Sequence, residues 1–367
     1  MFRIYFVVFI LIALFVYAAM HCVVYVNLAV GLQLAQPARK ILRIVFLAAV
    51  FSLPFAGLLQ YWYPSRYLSM VWLGIISLAF SVFLINILVL LIVKTGSIRC
   101  YSTICALVIT GLMAAYSLYN NARSPKLNEI TIPVAKHAAG VGNFTIVQLS
   151  DLHLGVDKSP AWLQDIVARV NKLNPDLIVI TGDLIDREIT RDDEFAAALR
   201  QMKTGYGVFA VTGNHEYYAG TDRFCSLTEK AGIKLLWNES RNIGQSICVA
   251  GVADPDGKRF GMEGNDLDKA LKDCDPSRIV ILLSHRPTNF EQAVEKGVDL
   301  QLSGHAHAGQ IPPMDLIVLL LYRYATGLHK YKNSFIYTST GTGFWGPPMR
   351  LFSRSEITKI NFRIIGS

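Results

Sequence analysis

Two patterns of apolar positions divide the chain. Up to about residue 120, four long and nearly unbroken apolar stretches run roughly from Tyr5 to Leu32, Ile41 to Trp62, Leu68 to Val93 and Tyr101 to Tyr119. A helix needs about 20 apolar residues to cross a bilayer core, so these stretches predict four transmembrane helices within residues 1–119. Pro54 in the second is tolerated in a membrane helix. Residues 120–142 are more polar, carry Pro125, Pro133 and a Gly140-Val141-Gly142 hinge, and read as a linker. From residue 143 to 367 the apolar runs shorten, become rich in Val, Ile and Leu, and alternate with helical patterns. Helices are expected at about Pro160–Leu173, Asp192–Met202, Asp222–Ala231, Leu267–Leu271 and Asn289–Glu295, with strands between them. That alternation predicts a layered α/β domain.

Five of the short runs end in the same way. Leu177-Ile178-Val179-Ile180-Thr181-Gly182 delivers Asp183, and Val147-Gln148-Leu149-Ser150 delivers Asp151-Leu152-His153. Val208-Phe209-Ala210-Val211-Thr212 leads into Gly213-Asn214-His215-Glu216. Ile279-Val280-Ile281-Leu282-Leu283 leads into Ser284-His285, and Leu300-Gln301-Leu302 into Ser303-Gly304-His305-Ala306-His307. Buried strands of this kind present side chains at the carboxyl edge of a sheet, where open α/β folds bind ligands. Any one of these residues alone could be an ordinary loop residue, and Asp183 alone a helix N-cap. Five such loops together, holding five of the chain's eight histidines, predict a metal site.

Asp-x-His puts two donors on one face of an extended turn, so Asp151 and His153 can close on one ion. His305 and His307 can do the same, or straddle two ions. Asp183 is then the bridging carboxylate, with Asn214, His285 and one of the last two histidines on the second ion. Nitrogen and oxygen donors without thiolate suit Mn, Fe, Zn, Ni or Co. Two such ions about 3.5–4 Å apart can share a hydroxide and activate it for in-line attack on phosphorus. His215 is the spare histidine and the candidate catalytic residue, placed to protonate the leaving oxygen or to stabilise charge on the phosphoryl group, with Glu216 to orient it.

Composition sharpens the membrane reading and removes another. The chain is 52% hydrophobic and 17% charged, with a formal net charge of +8. No Asp or Glu occurs from Met1 to Lys126, while Arg3, Arg39, Lys40, Arg43, Arg66, Lys94, Arg99, Arg123 and Lys126 are basic. The basic excess is therefore confined to the membrane half, and no nucleic-acid partner is implied. Without an acidic residue to relay protons, this half does not read as a transporter. Arg39, Lys40, Arg43, Lys94 and Arg99 in the first and third loops outweigh the other side, which predicts an extracytoplasmic catalytic half. Cys225, Cys248 and Cys274 have no metal-like spacing, and a disulfide among them is open.

The blocks Asp151-Leu152-His153, Gly182-Asp183-Leu184-Ile185-Asp186, Gly213-Asn214-His215-Glu216, Ser284-His285 and Gly304-His305-Ala306-His307 resemble the signature blocks of the calcineurin-like metallophosphoesterases, over about Phe144 to Phe362. The resemblance implies a four-layer α/β/β/α sandwich with two divalent ions at the edge of its sheets. It implies Asp151, His153 and His307 on one ion, Asn214, His285 and His305 on the other, Asp183 between them, and His215 as the catalytic histidine. Gly304 to Gln310 and the tail Gly341-Thr342-Gly343-Phe344…Arg350-Leu351-Phe352 look like the bacterial membrane-associated branch, which includes enzymes resembling UDP-diacylglucosamine pyrophosphatases.

The expected function is hydrolysis of a lipid-linked or membrane-proximal phosphoester or pyrophosphate by a multi-pass protein of the bacterial inner membrane. The alternatives are a phosphodiesterase of soluble substrates merely tethered to the membrane, and a non-catalytic membrane sensor with a structural metal site. The apolar run Leu316 to Tyr322 reads either as a core helix or as a lip that meets lipid. Arg323, Arg350 and Tyr217 are candidates for substrate binding.

Overall fold

The computed structural model of the chain describes residues 2–52, 54, 63–134 and 144–364. It falls into two compact units. The first holds Met1–Arg123 with Gly309–Leu316 and Gly346–Phe352; the second holds Ser124–Ala308, Ile317–Trp345 and Ser353–Ser367.

In the first unit, α1 (Phe2–Gly31), α2 (Gln36–Val50), α3 (Tyr63–Ile92) and α4 (Gly96–Ala122) follow in order. Among the described residues, three helical segments rather than four are long and apolar enough to cross a membrane: Ile10–Gly31, Pro64–Ile92 and Gly96–Ala122. The second expected span corresponds to α2, which has 15 residues and buries none of them. At 1.5 Å per residue it is about 22 Å long, short of a hydrocarbon core of about 30 Å. The rest of that expected span, apart from Phe51, Ser52 and Pro54, lies outside the described residues.

Small polar side chains join the helices. Asn86 Nδ2 on α3 reaches Asn27 Oδ1 on α1 at 3.3 Å and Thr103 Oγ1 on α4 at 3.2 Å. His21 is a satisfied packing residue, accepting from Trp72 Nε1 at 2.9 Å. Arg99 closes the carboxyl end of α3, donating to Val93 O at 2.8 Å and Leu90 O at 2.5 Å. That satisfies carbonyls with no helical partner and places a cation at the negative end of the helix.

The two later segments complete this unit. Ile311, Met349 and Leu351 bury themselves with Leu78 and Ala114. Ser77 Oγ donates to Pro312 O at 2.8 Å, Arg350 N to Ser117 O at 3.1 Å, and Asn120 Nδ2 to Arg350 O at 2.9 Å. Gly74 makes room for the second segment, since a Cβ there would come within 2.4 Å of Met349 Sδ.

The second unit contains two six-stranded mixed sheets. The first comprises β1 (Lys126–Val134), β12 (Glu356–Ile364), β2 (Thr145–Leu149), β3 (Leu177–Thr181), β4 (Val208–Val211) and β5 (Lys234–Leu235), in that spatial order. The other runs β10 (Gly327–Tyr331), β11 (Ser334–Thr338), β9 (Leu300–Ser303), β8 (Ile279–Leu283), β7 (Ile247–Gly251) and β6 (Glu239–Ile243). Strands β2 to β5 are parallel, as are β7, β8, β9 and β11; β12–β2, β6–β7 and β10–β11 are antiparallel.

Alternation along each strand sorts the side chains into separate cores. Ile146, Val179 and Phe209 of one sheet share a cluster with Val249, Ile281 and Leu302 of the other. Val147, Ile178, Ile180 and Ala210 pack instead on α5 (Pro160–Asn171), α6 (Asp192–Leu199) and α8 (Thr221–Ala231). Cys248, Val280 and Leu282 pack on α9 (Leu267–Leu271) and α10 (Phe290–Glu295). A disulfide ties Cys248 on β7 to Cys274 just past α9.

The stretch expected as a linker is a correction. Lys126–Val134 forms β1, paired in parallel with β12 from Lys126↔Glu356 to Val134↔Ile364. Polar and apolar residues alternate in its second half, from Glu129, and Ile132 and Val134 enter the shared core. Pro133 is compatible because β1 is an edge strand and a proline there need not donate to a ladder. Residues 135–143 of that stretch lie outside the described residues.

Candidate metal centre

The parallel strands β2, β3, β4, β8 and β9 all deliver their carboxyl ends to one edge, and the loops there carry the expected residues. Of three triads among the described residues whose donor atoms lie within 4.8 Å of one another, two consist of expected ligands: Asp151, His153 and His307, and Asp183, His285 and His305; the third is His153, Asp186 and His215. Asn214 joins the second, its Oδ1 3.3 Å from His285 Nε2. Asp183 stands between them, with Oδ2 3.2 Å from His285 Nε2 and 3.7 Å from His153 Nε2. All seven expected ligand residues are thus gathered.

The backbone is bent to do this. Asp151, His153, Asp183, His305 and His307 all have φ between 47° and 68°, the left-handed region that a residue with a Cβ seldom occupies. Such strain costs of order 1–3 kcal/mol per residue and persists only where the surroundings fix it. Glu216 supplies part of that fixing. Its carboxylate accepts from Asp183 N at 2.9 Å, Ile185 N at 3.1 Å and Gly213 N at 2.6 Å. Gly213 is needed for close approach: a Cβ there would meet Asp183 Oδ1 at 2.1 Å and Asp183 N at 2.6 Å. At Gly304 a Cβ would meet Asp151 Oδ2 at 2.3 Å.

His215 lies on the first turn of α7 (Asn214–Ala219), and its backbone N donates to Asp183 Oδ1 at 3.0 Å. Its ring is oriented by Asp186 and not by the expected Glu216. One oxygen, Asp186 Oδ1, accepts from both His215 Nδ1 and His153 Nδ1 at 2.8 Å. Both rings therefore carry a proton on Nδ1 and leave Nε2 for other work. Asp186 was missed as a site residue, although its place three residues after Asp183, within the same strand-end loop, was a readable signal.

Electrostatics follow from burial and crowding. Burial pulls His285 down, but the Asp183 carboxylate beside it raises it to about 10; burial likewise opposes His215, which Asp183 and Asp186 raise to about 9. Burial and the neighbouring His285 charge hold His305 well below the ordinary histidine value. Burial would raise Asp183 and Asp186, yet the facing histidines hold both well below the carboxylate range. Burial and the Asp183 charge push Glu216 up to about 7.

The chemistry of the donors fits divalent cations. Two imidazole nitrogens, His153 Nε2 and His307 Nε2, face each other at 3.2 Å, and His305 Nδ1 and His285 Nε2 at 3.1 Å. Opposed lone pairs at that separation are stable only with a proton or a cation between them. The spacing is that of donors around one ion at about 2.1 Å, and the N/O set without thiolate matches borderline metals.

Aromatic side chains stand around His215, with ring centroids of Tyr218 at 5.4 Å and Trp345 at 5.6 Å. Tyr322 is 5.7 Å from His305. The three expected substrate-binding residues are engaged elsewhere. Arg323 is 73% exposed and paired with Glu291 at 2.8 Å, while Tyr217 is buried with its hydroxyl 3.2 Å from Thr212 Oγ1. Arg350 is fully buried in the first unit. Sequence spacing shows neighbours along the chain and not what a long side chain packs on.

Residues 144–309 match the calcineurin-like phosphoesterase family. The chain is similar to a protein named transmembrane protein with metallophosphoesterase domain from Danio rerio, 39% identical over 73% of this chain and 64% of that one. It is also similar to the protein of the same name from Bos taurus, 36% identical over 70% of this chain and 61% of that one. It therefore spans less than two-thirds of either relative. An uncharacterized metallophosphoesterase of Aquifex aeolicus is 34% identical over 70% of this chain and 98% of its own length. With a matching family domain and a relative covered almost end to end, the chain belongs to the calcineurin-like phosphoesterases, a family of metal-dependent phosphoesterases.

Proposed function

We propose that the chain is a membrane-anchored phosphoesterase that uses two divalent ions on a lipid-linked or membrane-proximal phosphoester or pyrophosphate. The observation that carries the dimetal part is the position of Asp183, one carboxylate oxygen flanked by a histidine of each donor triad. In this reading Asp151, His153 and His307 hold one ion, Asn214, His285 and His305 the other, and Asp183 both. The ions, when bound, would supply Lewis acidity toward the phosphoryl group and a nucleophile from water near neutral pH. His215, with Nδ1–H fixed on Asp186, presents Nε2 to the leaving oxygen and hands it a proton. Glu216 holds the loop amides that set Asp183.

The fold assigned is the four-layer α/β/β/α sandwich, a reading favoured by one core common to the two sheets and a separate helix-covered core on each. Residues 1–119 would form the membrane region, and the phosphoesterase domain would extend over residues 143–367 with β1 added. An extracytoplasmic domain is favoured by the loop charges and by the Cys248–Cys274 disulfide, since disulfides persist in oxidising compartments. A lipid-linked substrate is favoured by the apolar helices and by the aromatic rings beside His215.

The test measures metal content and hydrolysis of an aryl phosphodiester by the full chain in detergent. Asp183→Asn and Asn214→Ala should lose bound metal and at least about 100-fold in turnover while still inserting and melting cooperatively. Undiminished turnover in either variant would remove the mechanism.

A further inference from the structure

Helix α11 (Met314–Leu321) is apolar on every side except at Asp315, yet it is exposed on most of them. Leu316 is 62% exposed, Leu319 59%, Leu320 87% and Leu321 71%. Among the described residues, the stripe through Val318 and Tyr322 packs inward, on Ala306 and Ala325. A helix hydrophobic all round is ordinarily buried on all sides or set in lipid. Among the described residues, no protein covers these exposed sides.

The chain leading into α11 indicates what covers it. Ile311 and Pro312 are held against the middle of α3, and α11 starts immediately after them. The companion segment is held by Ser117 and Asn120 near the end of α4. From Arg99, at the opposite turn of the α3–α4 hairpin, to Ser117 is about 27 Å of helix. A hydrocarbon core is about 30 Å thick. If Arg99 marks one face of that core, the companion segment lies near the other, and the start of α11, anchored at Ser77 about 24 Å along α3 from Val93, lies about 6 Å inside it.

We infer that α11 is an interfacial helix, with Leu316, Leu319, Leu320 and Leu321 immersed among the acyl chains of a lipid bilayer. Its inward stripe rests on Ala306, the residue between His305 and His307, so the lipid-facing helix and the histidine pair share one packing contact. The inference rests on the membrane part of the proposed function and needs no turnover.

The test uses the full chain in phosphatidylcholine vesicles, with Cys22, Cys100, Cys105 and Cys225 replaced by Ala and the disulfide kept. A polarity-sensitive dye is placed at one new cysteine: Leu320→Cys in α11, Leu88→Cys on the exposed side of α3, or Arg200→Cys after α6. The Leu320 dye should emit to the blue of the Arg200 dye and lose about half its intensity to lipids spin-labelled near the headgroup, as an interfacial helix would. Quenching at Leu88 with none at Leu320 overturns the inference and leaves the membrane reading intact. Absence of quenching at Leu88 overturns both. A blue-shifted Leu320 dye that lipid labels do not quench means that protein covers the helix, and this too overturns the inference.

Discussion

Replacing Asp186 with Asn tests the site through a residue outside the two triads of expected ligands. Asp186 is 5% exposed, and its Oδ1 accepts two hydrogen bonds of 2.8 Å, from His153 and His215. Asn keeps the volume and removes the charge. A charged hydrogen bond contributes about 1.5–3 kcal/mol and a neutral one about 0.5–1.5. Two bonds so weakened lose about 2–3 kcal/mol of orientation, which is about 30- to 150-fold in rate. Loss of a carboxylate that orients a metal-binding histidine typically costs about 10–100-fold, so the two routes agree.

Asp186→Asn should therefore lower kcat about 100-fold with KM little changed, while the protein melts cooperatively. There is also a signature that simple loosening would not produce. Asp186 is one of the groups that raise His215 to about 9, so without it the proton leaves His215 at lower pH. If His215 is the acid, the alkaline limb of the rate profile moves toward neutrality. Wild-type kcat with an unmoved alkaline limb would refute the assignment of Asp186 as the positioning residue.

Other outcomes follow from the same geometry. Gly213→Ala forces a Cβ onto the Asp183 backbone and carboxylate, so metal content should fall to background and the melting temperature should drop; full occupancy would contradict the close approach. In chelator, His285 at about 10 and His215 at about 9 stand above their unfolded value of about 6.5. Their stabilisation is then complete below pH about 6.5 and lost as pH rises through about 9 to 10. Asp183 and Asp186, being depressed, stabilise above pH about 4 and cease to do so as pH falls. The chelated protein should be most stable between about pH 4 and 6.5, and a melting temperature that climbs from pH 6.5 to 9 would contradict this. Cutting the Cys248–Cys274 bridge, which closes 26 residues, should cost about 3.5 kcal/mol by loop entropy, seen as a lower melting temperature in reductant.

The residues gathered at this site were readable because each follows a short buried strand and a turn, and both signals are local. Helices α5, α6, α8, α9 and α10 were readable from the 3.6-residue period for the same reason. Strand β1 was not, because Lys126-Leu127-Asn128-Glu129 is polar enough to pass for a connector and its partner β12 lies more than 200 residues away. The role of Glu216 was misread because proximity in sequence favours His215, whereas its carboxylate reaches across to amides of the Asp183 loop. For Arg323 and Arg350, too, sequence position does not show the surroundings. A flanking charge looks available until the packing shows Glu291 beside one and complete burial around the other.

The interleaving of the first unit has a consequence for biosynthesis. Its helices end at Ala122, yet the core around Leu78 and Ala114 includes Ile311, Met349 and Leu351. A ribosome adding about 5–20 residues per second reaches Met349 about 10–50 s after Ala114. For that interval α3 and α4 are in place with an open groove where Gly74, Ser77 and Ser117 await the segments that fill it. A membrane chaperone would find its binding surface there, and nascent chains stalled before residue 349 should be the ones it retains.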